Sequence, residues 1–242
     1  MSKTIFITGI SRGLGLKLTE HFLRKGFRVI GVSRTTSYEL QRLMNQYPLM
    51  LKWRQFDLGN IINLENRLEE ALSLKDEKID VFIDNAAVLY KDLIHRLNAD
   101  ELVRMTNVNI VSPIIVSKMI LKHFMQYRIK GIMVHISSIS AHRSYVGLSM
   151  YGATKSAIES FSQSIAHEYG RFGIRSNTVV LGLLEIGIRS TVREKDSKDL
   201  ISSTALGQLT DTLSVISTID YLTTEGSFCI TGQRIHIDAG VL

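Results

Sequence analysis

One cysteine, Cys229, occurs in 242 residues, so no disulfide can form within the chain. No cluster of His and Cys has the spacing of zinc ligands, and a metal site is not expected. Proline occurs only twice, and no Gly/Ser-rich linker, low-complexity tract or internal repeat divides the chain. A single domain spanning 1–242 follows as the expectation. Apolar runs are short, and none reaches the roughly 20 residues of a membrane-spanning helix. The apolar start "TIFITGI" breaks at Thr8 and Gly9, so neither a signal peptide nor a transit segment is expected. A cytoplasmic protein without a membrane partner is the default reading. Charge of one sign is not concentrated either. The net charge is +6, but the basic residues are scattered and mixed with acids, as in "KLTEHFLRKGFR" and "STVREKDSKD". No basic stripe interleaves with aromatics, which argues against a nucleic-acid partner.

What the chain does contain is alternation. Short apolar runs read as buried strands: "TIFITG", "RVIGVSR", "MLKWRQFDL", "IDVFIDNAA", "GIMVHISS", "IRSNTVVLG" and "RIHIDAG". Amphipathic stretches such as "LGLKLTEHFLRKG", "INLENRLEEALSL" and "YGATKSAIESFSQSIAHEYGRFG" separate them. Strands alternating with helices predict an α/β fold, a doubly wound parallel sheet with helices on both faces. Between the first strand and the first helix stand Gly9, Gly13 and Gly15. Residues without a Cβ allow a tight turn and close approach of a diphosphate, while the helix N-terminus offers unpaired N–H groups and a positive dipole end. The spacing is G-x-x-x-G-x-G rather than the better-known G-x-G-x-x-G.

A second pattern is "MYGATKSA", in which Tyr151 and Lys155 stand four residues apart. On a helix these side chains share one face. An ammonium beside a phenol favours the phenolate, so the pair could serve proton transfer; taken alone it also fits a polar pair on a helix surface.

Together these motifs resemble the classical short-chain dehydrogenases/reductases over essentially the whole chain. The family's T-G-x-x-x-G-x-G is matched by Thr8 to Gly15, which assigns Gly9, Ser11, Arg12, Gly13, Leu14 and Gly15 to cofactor binding. Its acidic residue near the adenine is matched by Asp57, followed by Leu58. Its N-N-A-G strand end is matched by Asp84-Asn85-Ala86-Ala87, where Asp84 and Ala87 depart from the pattern. Its helix asparagine is matched by Asn109, and its serine, thirteen residues before the tyrosine, by Ser138. The resemblance implies a Rossmann-fold oxidoreductase that reduces a ketone to a secondary alcohol, or the reverse. Tyr151 is then the general acid/base, and Lys155 lowers its pKa and binds the nicotinamide ribose. Ser138 holds the substrate oxygen, and Asn109 supports a water that relays protons to Lys155. Within the family the likeness extends to 3-oxoacyl-carrier-protein reductases and to reductases of sugar- and polyketide-derived ketones.

The end of the second strand bears on the cofactor. Ser33 occupies the position of an NAD-selective carboxylate, Arg34 follows it, and Arg12 lies in the glycine turn. Two guanidiniums without an acid suit a 2′-phosphate, so NADP(H) is the expected cofactor, although both arginines also fit a solvated surface. After the sixth strand, Leu181-Gly182 replaces the family's Pro-Gly, and Ile186 stands in place of a threonine; Gly182, Leu184 and Ile186 are expected near the nicotinamide. The mixed-charge segment Leu183 to Leu209 is read as a substrate lid, with Arg189 and Arg193 as candidate contacts. The departures at Asp84 and Ala87 are expected to leave the hydride chemistry untouched. His135 is read as a core histidine and Trp53 as packing; His142 and Arg143 fit either substrate contact or solvent. The helices carrying Asn109 and Tyr151 are apolar on more than one side, which predicts a homo-oligomer, dimer or tetramer. The competing function on the same fold is a non-catalytic regulator that senses the nucleotide.

Overall fold

The computed structural model describes residues 3–73, 77–184 and 201–241. Seven strands form one parallel sheet: β1 (Thr4–Thr8), β2 (Arg28–Ser33), β3 (Leu51–Gln55), β4 (Val81–Asp84), β5 (Ile132–Ser138), β6 (Arg175–Leu181) and β7 (Arg234–Ile237). Their spatial order is β3-β2-β1-β4-β5-β6-β7. The order reverses between β1 and β4, and the crevice beyond the strand ends at such a switch point is where ligands bind in open α/β sheets. All seven sequence-expected strands are present, and the doubly wound architecture is the one expected.

Alternation along β1 explains the two layers. Ile5 and Ile7 point to one face, where they meet Leu18 and Phe22 of α1 (Gly13–Arg24) and Ile219 of the helix at Thr212–Leu222. Phe6 points to the other, onto Phe82 at a ring separation of 5.4 Å. That face is closed by Leu68 of α3 (Leu64–Leu72), Phe124 of α5 (Ser112–Gln126) and Ile165 of α6 (Ser149–Tyr169). Strands buried on both faces read as continuous apolar runs, and each fully buried Ile or Phe contributes roughly 1.5–3 kcal/mol relative to exposure.

Between β2 and β3 lies a helix that the periodicity did not predict, α2 (Tyr38–Gln46). It buries only Leu40 and Leu43 and starts where the Ser37 hydroxyl accepts the Leu40 N–H at 3.1 Å. The long helix before β5 is composite: α4 (Ala99–Thr106), a π turn over Asn107–Val111, and α5. Contrary to the sequence expectation, this stretch of 28 residues, Ala99–Gln126, is long and apolar enough to cross a membrane by length and composition. It is 61% buried inside the fold over its most apolar window, as befits a core helix. The helix α7 (Thr212–Leu222) starts where Asp211 accepts the Ser214 N–H at 2.9 Å.

Candidate active site

The crevice is built first from the turn after β1. Gly9 has φ +76° and Gly13 +58°, in the left-handed region that favours glycine. A Cβ on Gly15 would stand 2.2 Å from the Gly9 carbonyl oxygen and 2.5 Å from the Asn85 amide nitrogen. The glycine thus lets α1 begin directly against the turn. Arg12 forms the N-cap without any side-chain hydrogen bond to the first turn, and no acid lies in that turn. The first amides of α1 are left for an anion, and the cradle fits a diphosphate. Ser11 and Leu14 flank it, and Arg12 is exposed beside it.

Across the switch point, β4 ends on a shared hub. The Thr8 hydroxyl accepts the N–H groups of Asn85 and Ala86, both at 3.0 Å, and donates to Asp84 Oδ1 at 3.3 Å. The Asn85 side chain donates back to the carbonyls of Thr8 and Gly9 at 2.9 and 3.2 Å. Ala87 follows, exposed toward the crevice. The two halves of the nucleotide cradle are therefore locked to one another.

Beyond the end of β2, Arg34 is exposed. It lines a cavity of about 520 Å³ with Gln55, Phe56, Asp57, Arg67 and Glu70. Asp57 Oδ1 accepts the Gly59 N–H at 2.9 Å, and Leu58 is buried beside it. Arg67, which sequence reasoning did not single out, lies 5.0 Å over the Phe56 ring. Ser33 is in the expected place, but its hydroxyl is already engaged. It donates to the Thr35 carbonyl at 2.9 Å and accepts the indole N–H of Trp53 at 2.8 Å. Trp53 is thus more than packing: it ties β3 to the end of β2.

The candidate catalytic side chains collect at the end of β5 and the start of α6. A Cβ on Gly152 would lie 2.2 Å from the Ser140 carbonyl oxygen, so this glycine lets α6 press against the loop that follows Ser138. That close approach explains the glycine beside Tyr151 and was not legible beforehand. The Ser138 hydroxyl stands close enough to Tyr151 to favour its phenolate; its Oγ donates to Ser140 Oγ at 3.3 Å and accepts the Ser140 N–H at 3.2 Å. Asn109 sits in the π turn, a feature that frequently marks functional sites. Its amide is clamped to Val88, accepting the N–H and donating to the carbonyl at 2.9 Å each, and donates to Thr154 of α6 at 3.1 Å. Both ends of this side chain are engaged in joining β4's exit to α6. Lys155 is buried, with Nζ 5.8 Å from the Tyr151 ring centre, and donates to the Ile136 carbonyl at 2.8 Å.

The electrostatics differ from the simple expectation for this pair. Burial pushes the Tyr151 phenol up to about 12, and the Ser138 hydroxyl pulls against it. Burial pushes the Lys155 ammonium down, while the Asp84 and Glu159 carboxylates push it up. The Lys155 ammonium lies over the Tyr151 ring, and burial, the largest influence on the phenol, holds its proton in place. Asp84 stands at the end of β4, where it accepts from the Thr8 hydroxyl and faces His135. His135 is a core residue as expected, fully buried between the edges of Phe82 and Phe161. His142 reaches neither pure solvent nor the reacting groups: its Nε2 lies 2.9 Å from Glu159 Oε2.

Past β6, Gly182 donates its N–H to the Ile237 carbonyl at 3.0 Å, and Leu184 forms a bridge with Thr210. Ile186, Arg189, Arg193 and most of the expected lid lie outside the described residues. Among the described residues no cluster of His, Cys, Asp or Glu could hold a metal.

Comparison with known proteins agrees with this geometry. The chain is 26% identical over 241 residues to the 3-oxoacyl-[acyl-carrier-protein] reductase FabG of Vibrio harveyi, covering 99% of this chain and 97% of that one. It superposes with a TM-score of 0.92 on a 4-hydroxyisoleucine dehydrogenase complexed with NADH, at 27% identity and covering 99% and 98% of the two chains. ElxO with NADP bound gives a TM-score of 0.86 at 26% identity, covering 100% and 99%. A short chain dehydrogenase family model matches residues 3–197, a span that takes in the glycine cradle, the Thr8 hub and the Ser138–Tyr151–Lys155 cluster. The chain therefore belongs to the short-chain dehydrogenase family.

Proposed function

We propose that the chain is an NADP(H)-dependent reductase that converts a ketone to a secondary alcohol and runs in reverse as a dehydrogenase. The observation that carries this reading is the cluster of Ser138 at the end of β5 with buried Tyr151 and Lys155 at the start of α6, on the same strand-end side of the parallel sheet as the glycine turn after β1. When bound, the nicotinamide cofactor supplies or takes the hydride. Gly9, Ser11, Arg12, Gly13, Leu14 and Gly15 would hold the diphosphate, and Asp57 and Leu58 would border the adenine. Asn85, Ala86 and Ala87 would wall the crevice, Tyr151 and Lys155 would meet the nicotinamide ribose, and Gly182 and Leu184 would border the nicotinamide.

Charge develops on the carbonyl oxygen as it is reduced, so donors aimed at that oxygen gain strength in the transition state. Tyr151 Oη gives its proton to this oxygen, and Ser138 Oγ donates a second hydrogen bond to it. A phenol held at about 12 keeps its proton until the alkoxide forms, which suits an acid in the reducing direction. In the reverse reaction Tyr151 acts as a base, and a neighbouring Lys155 ammonium favours the phenolate that this step needs. The NADP(H) preference is supported by exposed Arg34 and Arg12 and by Ser33 in the carboxylate position. The exposed lone Cys229 suits a reducing compartment, and the reading places the enzyme in the cytoplasm. Val103, Ile114 and Met125 remain exposed along α4 and α5, which supports a homo-oligomer through these helices. Light scattering should then give two or four times the monomer mass of 27.3 kDa, and a monomeric mass would end that part of the proposal. The function itself is tested by following NADPH absorbance with a panel of ketones that includes acyl thioesters and sugar ketones. Oxidation of NADPH with at least one ketone, and faster than of NADH, is expected; no turnover with any would overturn it.

A further inference from the structure

Beneath the reacting groups lies a pair of titratable side chains that the proposed mechanism does not use. Asp84 and His135 are direct partners in the register of β4 and β5, and both are buried. His135 Nδ1 faces Asp84 Oδ2 at 3.5 Å, and the Thr8 hydroxyl donates to the other carboxylate oxygen at 3.3 Å. His135 Nε2 is buried with no hydrogen-bond partner among the described residues. A hydrogen on that nitrogen would be stranded, so the ring carries its hydrogen on Nδ1 and directs it at Asp84.

Lys155 lies immediately alongside, since its Nζ donates to the carbonyl of Ile136, the residue after His135. A carbonyl dipole alone does not compensate a buried ammonium, whose desolvation costs several kcal/mol. Two carboxylates act on that ammonium, Asp84 from the sheet and Glu159 from one turn further along α6. Glu159 already serves other donors: Ser137 at 2.5 Å, His142 at 2.9 Å and Arg234 at 3.2 Å. Its charge is shared with the Arg234 guanidinium. Among the described residues no Lys or Arg, Lys155 included, makes an ion pair with Asp84; its partner His135 meets Phe161 of α6, so the carboxylate lies on the sheet face that α6 covers and acts on Lys155 from beyond ion-pair distance.

We propose that Asp84, held by Thr8 and His135, is the counter-charge that keeps Lys155 an ammonium inside the site. Asp84 is then a positioning residue, acting through Lys155 rather than touching substrate. The inference rests on the reductase reading only for its catalytic consequence; the electrostatic claim stands on the protein alone.

The test is an NMR titration of cofactor-free protein labelled at lysine Cε, with the Lys155 signal identified by its disappearance in Lys155→Met. Asp84→Asn keeps the shape and removes the charge, and its amide can donate to Nδ1 once the imidazole changes tautomer. The Lys155 midpoint should fall by about one pH unit, as for loss of a nearby opposite charge. His135→Asn leaves the carboxylate in place and should move the midpoint less than Asp84→Asn does. If Asp84→Asn does not fold, the double variant Asp84→Asn/His135→Asn supplies an uncharged amide pair across the same register, and the same fall is expected. A midpoint unchanged in the charge-free variant would overturn the proposal, whatever its stability. Because no turnover is measured, an inactive wild type with a shifted Asp84→Asn midpoint would sink the reductase reading alone.

Discussion

Tyr151 makes the fold sensitive to alkali in a way that can be calculated. In the unfolded chain its phenol loses its proton near 10, whereas burial holds the folded phenol at about 12. Below pH ~10 both states are protonated, and the stability associated with the buried neutral phenol is fully present. As pH rises, the unfolded state releases its proton first, so that stability is lost progressively until the folded phenol also ionises. Two units at about 1.4 kcal/mol each give a loss of about 3 kcal/mol across the window. Tyr151→Phe keeps the ring, lacks the proton and should lack this loss. Removing the hydroxyl also removes its polar contact with Ser138, a roughly constant offset of about 1 kcal/mol. Urea unfolding followed by circular dichroism at a series of pH values would give both stability curves. Tyr145, also pushed up by burial, and Lys155 are present in both proteins and largely cancel in the comparison. The two curves should converge and then cross or meet above pH ~10 as the wild type weakens. Curves that stay parallel through this window would refute the buried, proton-holding tyrosine.

Two further outcomes follow from the cradle. Arg34→Asp exchanges an attraction for a repulsion at the 2′-phosphate, so the ratio of kcat/KM for NADPH over NADH should fall by at least about tenfold, roughly 1.4 kcal/mol; an unchanged ratio in steady-state assays would remove Arg34 from cofactor choice. Gly15→Ala drives a Cβ to 2.2 Å from a backbone oxygen, so cofactor binding by fluorescence titration should weaken by tenfold or more, with a lowered melting temperature. Wild-type affinity in that variant would mean that the turn is not the cradle.

Much of this was legible because strands buried on both faces write themselves as apolar runs, and because glycine, serine, tyrosine and lysine stand at telling intervals. All seven strands, the Gly9 turn and the Tyr151/Lys155 pair came from that signal, whereas Ser138 came only from the family resemblance. Helix α2 did not, because it buries only Leu40 and Leu43 and rests on its Ser37 cap. Contacts between distant segments were equally silent. Nothing local says that Gly152 must admit the Ser140 carbonyl, that Trp53 holds Ser33, or that Asp84 meets His135 across the sheet. The charge balance at Tyr151 was also hidden, since spacing places Lys155 on the same face without revealing how much water the fold removes from both.

The central claim, that Tyr151 is the proton donor, is tested most directly by single-turnover NADPH oxidation with whichever ketone the wild type reduces fastest, comparing it with Tyr151→Phe. The account predicts a rate lower by about 10²–10⁴-fold, as expected for loss of a general acid, with the NADPH dissociation constant unchanged. A variant that keeps more than about a tenth of the wild-type rate would contradict it, because the ring alone has no proton to give.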